Sequence, residues 1–107
     1  MIRVLLAEDH NVVRNGIKSL LEKENDLQVV AEAINGKHAV ELLEKGLQVD
    51  VILADINMPQ MNGIEMIACV KSKFSEIKVI VLSHFELFRY SILLYIIIKI
   101  IIAFLFQ

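Results

Sequence analysis

At 107 residues the chain amounts to one ordinary domain, with 11 basic and 13 acidic side chains and a formal net charge of -2. It is too short for two folded units of usual size, and without a basic excess it lacks the electrostatic footprint of a nucleic-acid binder. The lone cysteine, Cys69, excludes an internal disulfide, and Met1-Ile2-Arg3 runs into an apolar stretch with no signal-peptide cleavage pattern, so a reducing cytoplasm is the expected location.

Ile2 to Ala7 is a short run rich in Val and Leu, the pattern of a strand buried on both faces, and it is followed at once by Glu8-Asp9. Val12, Val13, Gly16, Ile17, Leu20 and Leu21 then recur at helical spacing, with Arg14, Lys18, Glu22 and Lys23 on the other side. Leu27 to Ala31, between the turn-forming pairs Asn25-Asp26 and Asn35-Gly36, is a less apolar strand. Lys37 to Lys45 carries Val40 and Leu43 on one stripe and ends before Gly46.

Val49 to Ala54 is a third strand, followed directly by Asp55. Gly63 to Phe74 reads as a helix with Ile64, Ile67, Ala68 and Phe74 inward, and Ile77 to Leu82 as a fourth strand, followed by Ser83. The order β-α-β-α-β-α-β predicts an α/β fold, a doubly wound parallel sheet with helices on both faces. In such sheets ligands bind at the carboxyl ends of the strands, beside a switch in strand order.

If the first and third strands are neighbours, Glu8, Asp9 and Asp55 converge at that edge. Three close anions repel unless they hold a cation or change protonation. The donors on offer are hard oxygens with no Cys/His pair at ligand spacing, which favours Mg2+ over zinc or copper. A pocket of this kind with one spare carboxylate is equipped to receive a phosphoryl group, and the Ser83 hydroxyl would donate to a phosphoryl oxygen. Acidic residues after strands also occur as solvated loop residues or caps, and Asp9 is a candidate cap for a helix starting near Asn11. His10 and His38 have no metal-spaced partner and read as surface histidines without a role, and Cys69 as a small apolar helix residue.

The stretch Asp55-Ile56-Asn57-Met58-Pro59-Gln60-Met61-Asn62-Gly63 resembles the phosphoacceptor loop of response-regulator receiver domains in bacterial two-component signalling. Glu8-Asp9, Val12-Val13-Arg14-Asn15-Gly16, Val29-Val30-Ala31-Glu32-Ala33 before Asn35-Gly36, and Ser83 fall where that family has them, so the resemblance spans residues 1 to 84. It implies a flavodoxin-like receiver fold and a phosphoryl group taken by Asp55 from a histidine kinase. It further implies Mg2+ held by Glu8, Asp9, Asp55 and the backbone carbonyl of Asn57, with Asn57 also tuning phosphoryl lifetime. Pro59 would fix the turn after the acceptor, and Gly63 would allow tight geometry where the next helix begins. The first two strands look most like regulators with a C-terminal helix-turn-helix output domain, which act in transcription. The resemblance thus implies a phosphoacceptor domain rather than a turnover enzyme.

The pattern fails after Ser83. A complete receiver continues with a helix, a fifth strand ending in a phosphate-contacting lysine, and a last helix. Here residues 85–107 form a divergent hydrophobic tail containing ILLYIIIKIIIAFLF, with no Gly after Gly63 and no Pro after Pro59. Lys99 lies inside the isoleucine run rather than at a strand end, and His84 stands where a small residue is usual.

The tail reads as a packed helix, a membrane-inserting segment, or a different coding frame replacing the genuine C-terminus. The abrupt change in composition favours the last, and the run falls short of the ~20 residues of a membrane span. Two other functions fit parts of this pattern. A degenerate receiver would act only through protein contacts, whereas in the main reading phosphorylation would change partner affinity or formation of a homodimer. A Mg2+-dependent aspartyl phosphohydrolase would need a second aspartate two residues after the nucleophile, where this chain has Asn57.

Overall fold

The computed structural model describes residues 1–82. Its elements are β1 (Ile2–Ala7), α1 (Asn11–Glu22), β2 (Leu27–Ala33), α2 (Gly36–Glu44), β3 (Val51–Asp55), α3 (Gly63–Lys73) and β4 (Lys78–Leu82). The strands form one parallel sheet in the order β2-β1-β3-β4, so the chain reverses direction across the sheet on either side of β1. Ser83, His84, Lys99 and the rest of the 85–107 tail lie outside the described residues.

Alternation along the strands separates two cores, because successive side chains leave opposite faces of a sheet. Leu5, Ala7, Ile52 and Ala54 point to one face, where Ala39, Val40 and Leu43 of α2 and Met66 and Val70 of α3 cover them. Ile2, Val4, Leu6, Val51 and Leu53 point to the other, against Val13, Ile17 and Leu21 of α1. Each fully buried branched side chain of this kind stabilises the fold by roughly 1.5–3 kcal/mol. Among the described residues no helix is long and apolar enough to cross a membrane.

Several boundaries and faces differ from the sequence reading. β2 runs on to Ala33, and β3 begins at Val51 and includes Asp55. Val49 is buried but outside the strand, because Asp50 turns back on Arg3: the Asp50 N–H donates to the Arg3 carbonyl (2.9 Å) and the Arg3 N–H to Asp50 Oδ2 (2.8 Å). In α1 the inward stripe is Val13-Ile17-Leu21, and Val12 is exposed.

In α3 the expected stripe is rotated. Gly63, Met66 and Val70 face inward, whereas Ile64 is 61% exposed and Ala68 is exposed too. The phase is set by Gly63, whose missing side chain lets the helix start against the Asp55 backbone; residues three and seven further on then point the same way. Asp9 does not cap α1, since the N-cap position falls to His10, whose side chain makes no capping bond.

Arg3 also holds Asp50 through its guanidinium, at 3.0 and 3.2 Å, tying the start of β1 to the start of β3. Those hydrogen bonds hold the Asp50 carboxyl below its ordinary value. A depressed carboxyl contributes stability above the unfolded-state value and loses it as pH falls through the folded one. Because both side chains are well exposed the contribution is small. Asp50→Asn is expected to flatten the acid side of a stability-versus-pH curve below about pH 4, as measured by urea unfolding, with no change near neutrality beyond a constant offset.

Candidate functional site

β1 and β3 run side by side with Ala7 opposite Ala54, so the next residues, Glu8 and Asp55, emerge together at the carboxyl edge of the sheet. Both are buried, at 2% and 5% exposure, unusual for ionisable groups. Asp9 and His10 follow in the turn, and one ligand atom from each of Glu8, Asp9, His10 and Asp55 lies within 4.8 Å of the others.

The turn is fixed from below. The Glu8 N–H donates to the Ala33 carbonyl at the end of β2 (2.9 Å), and Arg14 of α1 donates to the Glu8 carbonyl (2.8 Å). Arg14 is in turn held by Glu32 (3.2 Å), which also meets Lys18 (3.3 Å).

His10 was assigned no role from sequence, yet it sits on the carboxylates. Its backbone N–H and its ring Nδ1 reach Glu8 Oε1 at 3.1 and 2.7 Å, and Nδ1 is 3.0 Å from Asp9 Oδ1. One ring nitrogen carries one hydrogen, and the shorter contact takes it. The contact to Asp9 is therefore ionic proximity only, and buried Asp9 Oδ1 has no hydrogen bond. Burial pushes the Glu8 carboxyl up, with the charges of Asp55 and Asp9 adding to the effect and the hydrogen bonds from His10 opposing it. The hydrogen bond to Glu8 raises His10 in return.

Asp55 differs from its neighbours: no hydrogen bond or ion pair of its carboxylate falls among the described residues. A buried carboxylate with no partner among the described residues, beside a second carboxylate with an orphaned oxygen, is costly as it stands. The donor set fits a hard divalent cation, which would complete both groups.

The loop after Asp55 is built tightly. Met61 N–H donates to the Pro59 carbonyl (2.7 Å), Gln60 takes a positive φ of 67°, and Gly63 N–H returns to the Ile56 carbonyl (3.0 Å). Asn62 and Glu65 form a reciprocal capping box at the start of α3, with bonds of 2.8 and 3.1 Å. A Cβ at Gly63 would lie 2.8 Å from the Asp55 carbonyl oxygen, so glycine is what allows α3 to begin there.

A second support comes from far along the chain. Gly36, the first residue of α2, donates its N–H to the Met61 carbonyl (3.0 Å). Sequence reasoning took Asn35-Gly36 as a turn and missed this contact. Asn57 is exposed in the loop, and His38, half-buried, accepts from the Ile34 N–H (3.2 Å) away from the cluster. Cys69 is half-buried on α3 and packs against the core.

Comparison with known proteins agrees with this geometry. The sequence profile of the response regulator receiver domain matches residues 4–91. The chain is 43% identical over 82 residues to the transcriptional regulatory protein DegU of Brevibacillus brevis, covering 77% of this chain and 34% of DegU. It is 41% identical over 80 residues to the nitrate/nitrite response regulator protein NarL of Escherichia coli K12, covering 75% of this chain and 37% of NarL. The chain thus spans about a third of the length of the curated relatives it matches. Among solved structures, it is similar to the isolated REC domain of RcsB from Salmonella enterica serovar Typhimurium in the presence of the phosphomimetic BeF3-. The TM-score is 0.69 at 31% identity, over 75% of this chain and 59% of that one.

Proposed function

The chain belongs to the response regulator receiver domain family, and from that premise we propose that Asp55 accepts a phosphoryl group from the phosphohistidine of a histidine kinase in a Mg2+-dependent reaction. The observation that carries this reading is the Asp55 carboxylate, buried at the end of β3 with no partner among the described residues, beside Glu8 and Asp9 from β1.

The carboxylates of Glu8, Asp9 and Asp55 and the backbone carbonyl of Asn57 would hold Mg2+. Bound there, the ion neutralises charge on the transferring oxygens. A carboxylate oxygen of Asp55 attacks phosphorus, the P–N bond to the kinase imidazole breaks, and the imidazole leaves and takes its proton from solvent. Ser83 follows Leu82, the β4 residue registered with Asp55, and its hydroxyl would donate to a phosphoryl oxygen.

Residues 1 to 84 would form the receiver unit, working in the cytoplasm where the kinase presents its phosphohistidine. The relative DegU is named a transcriptional regulatory protein, and NarL a nitrate/nitrite response regulator. For this chain, control of a transcriptional output, and a homodimer as its switched form, belong to the proposal.

The direct test is intact-mass spectrometry of the full chain after incubation with phosphoramidate. A mass gain of one phosphoryl group is expected with Mg2+ and not with EDTA. Folded protein that gains no mass under either condition overturns the reading.

A further inference from the structure

Resting on the assignment of Glu8 and Asp9 as ligands for a divalent cation, we propose that His10 is a positioning residue of that site, its imidazole N–H pinning one oxygen of the Glu8 carboxylate. Two donors converge on Glu8 Oε1, the His10 backbone N–H at 3.1 Å and the ring Nδ1 at 2.7 Å. No hydrogen bond from a described residue goes to the other oxygen, Oε2, which is left to a cation. The same ring stands 3.0 Å from Asp9 Oδ1 without bonding it, so that oxygen too stays open.

A carboxylate that must ligate gains from being held in one orientation by an outer hydrogen bond. Loss of such partners commonly weakens metal binding 10- to 100-fold. His10 is itself half-exposed and makes no cap bond to α1, so its ring adds little to the core.

The opposite reading of the same contacts is that the imidazole occupies the cation's place and must be displaced. The two readings differ in sign. Mg2+ binding to the full chain, followed by titration calorimetry, is compared for the unaltered protein, His10→Ala and His10→Asn. In asparagine the amide nitrogen is attached to Cγ as Nδ1 is in histidine, so it can donate to Glu8 from nearly the same place; asparagine is also well tolerated at an N-cap.

The expected result is Mg2+ binding about tenfold weaker in His10→Ala and largely restored in His10→Asn. The three proteins should melt in EDTA at temperatures that do not follow this order. Binding by His10→Ala as tight as in the unaltered chain, or tighter, overturns the proposal, as does His10→Asn binding as weakly as His10→Ala. If the unaltered chain binds no Mg2+, the assignment of the acidic pocket fails, and the role of His10 falls with it.

Discussion

Exchange of Asp55 for asparagine is expected to abolish the phosphoryl adduct and, in EDTA, to raise the melting temperature. The first effect follows because an amide lacks the anionic oxygen that attacks phosphorus. Glu8 and Asp9 do not replace it, since Glu8 is tied to His10 and both belong to the turn after β1.

The second effect follows from burial. Asp55 is 5% exposed, has no partner among the described residues, and adds its charge to those that push the Glu8 carboxyl up. Two unit charges separated by at most the 4.8 Å that bounds the cluster repel by about 3.5 kcal/mol or more at an effective dielectric of ~20. The hydrogen bond from His10 to Glu8 offsets part of that, leaving a gain of about 1 kcal/mol, or several degrees in melting temperature. Mg2+ should stabilise the unaltered protein more than Asp55→Asn. Calorimetric melts in EDTA and in Mg2+ read both effects. An adduct that persists places the acceptor elsewhere, and a lower melting temperature means that Asp55 has a structural partner.

The substitution Gly36→Ala should be among the most damaging single-methyl additions. An added Cβ would stand 2.5 Å from the Met61 carbonyl oxygen and 3.1 Å from its carbonyl carbon, both backbone atoms that cannot swing aside. It would also force apart the hydrogen bond from the Gly36 N–H to that same oxygen. Overpacking of this kind costs about 1–3 kcal/mol, and the lost bond puts this case at the upper end.

The strain falls on the loop that carries Pro59 to Asn62, so the damage should extend beyond stability. Phosphorylation of folded Gly36→Ala by phosphoramidate should be slower than in the unaltered chain, although Gly36 touches none of the carboxylates. Equilibrium unfolding and the rate of adduct growth measure the two consequences separately. Unchanged values for both would mean that the loop does not depend on its contact with α2.

The strands were legible because β1 and β3 are buried on both faces and leave runs of Val, Ile and Leu with little else. The acidic constellation was legible for the same reason: Glu8 and Asp55 stand where those runs stop. The phase of α3 was not, because Ile64, Met66, Ile67, Ala68, Cys69 and Val70 leave no clear polar face, and the rotation is set by the backbone contact at Gly63.

His10 was passed over because its partners were sought among distant Cys and His residues, whereas they are the two carboxylates just before it. The contact of Gly36 with Met61 leaves no mark in local pattern, since it joins two turns from different crossovers. Phosphate sensing by Ser83 and the fate of the expected lysine fall on residues outside those described.

The place of β1 between β2 and β3 also bears on the order in which the domain assembles. β2 follows β1 after a single helix, whereas Val4 of β1 pairs with Val51 of β3 across α1, β2 and α2. The longer closure carries the larger entropic cost, so β1, α1 and β2 are expected to associate first and β3 to join afterwards. The carboxylates of β1 and β3 meet only at that late step. A cation seated between them would act on contacts absent from most of the folding route, and would lengthen the lifetime of the folded chain more than it hastens folding.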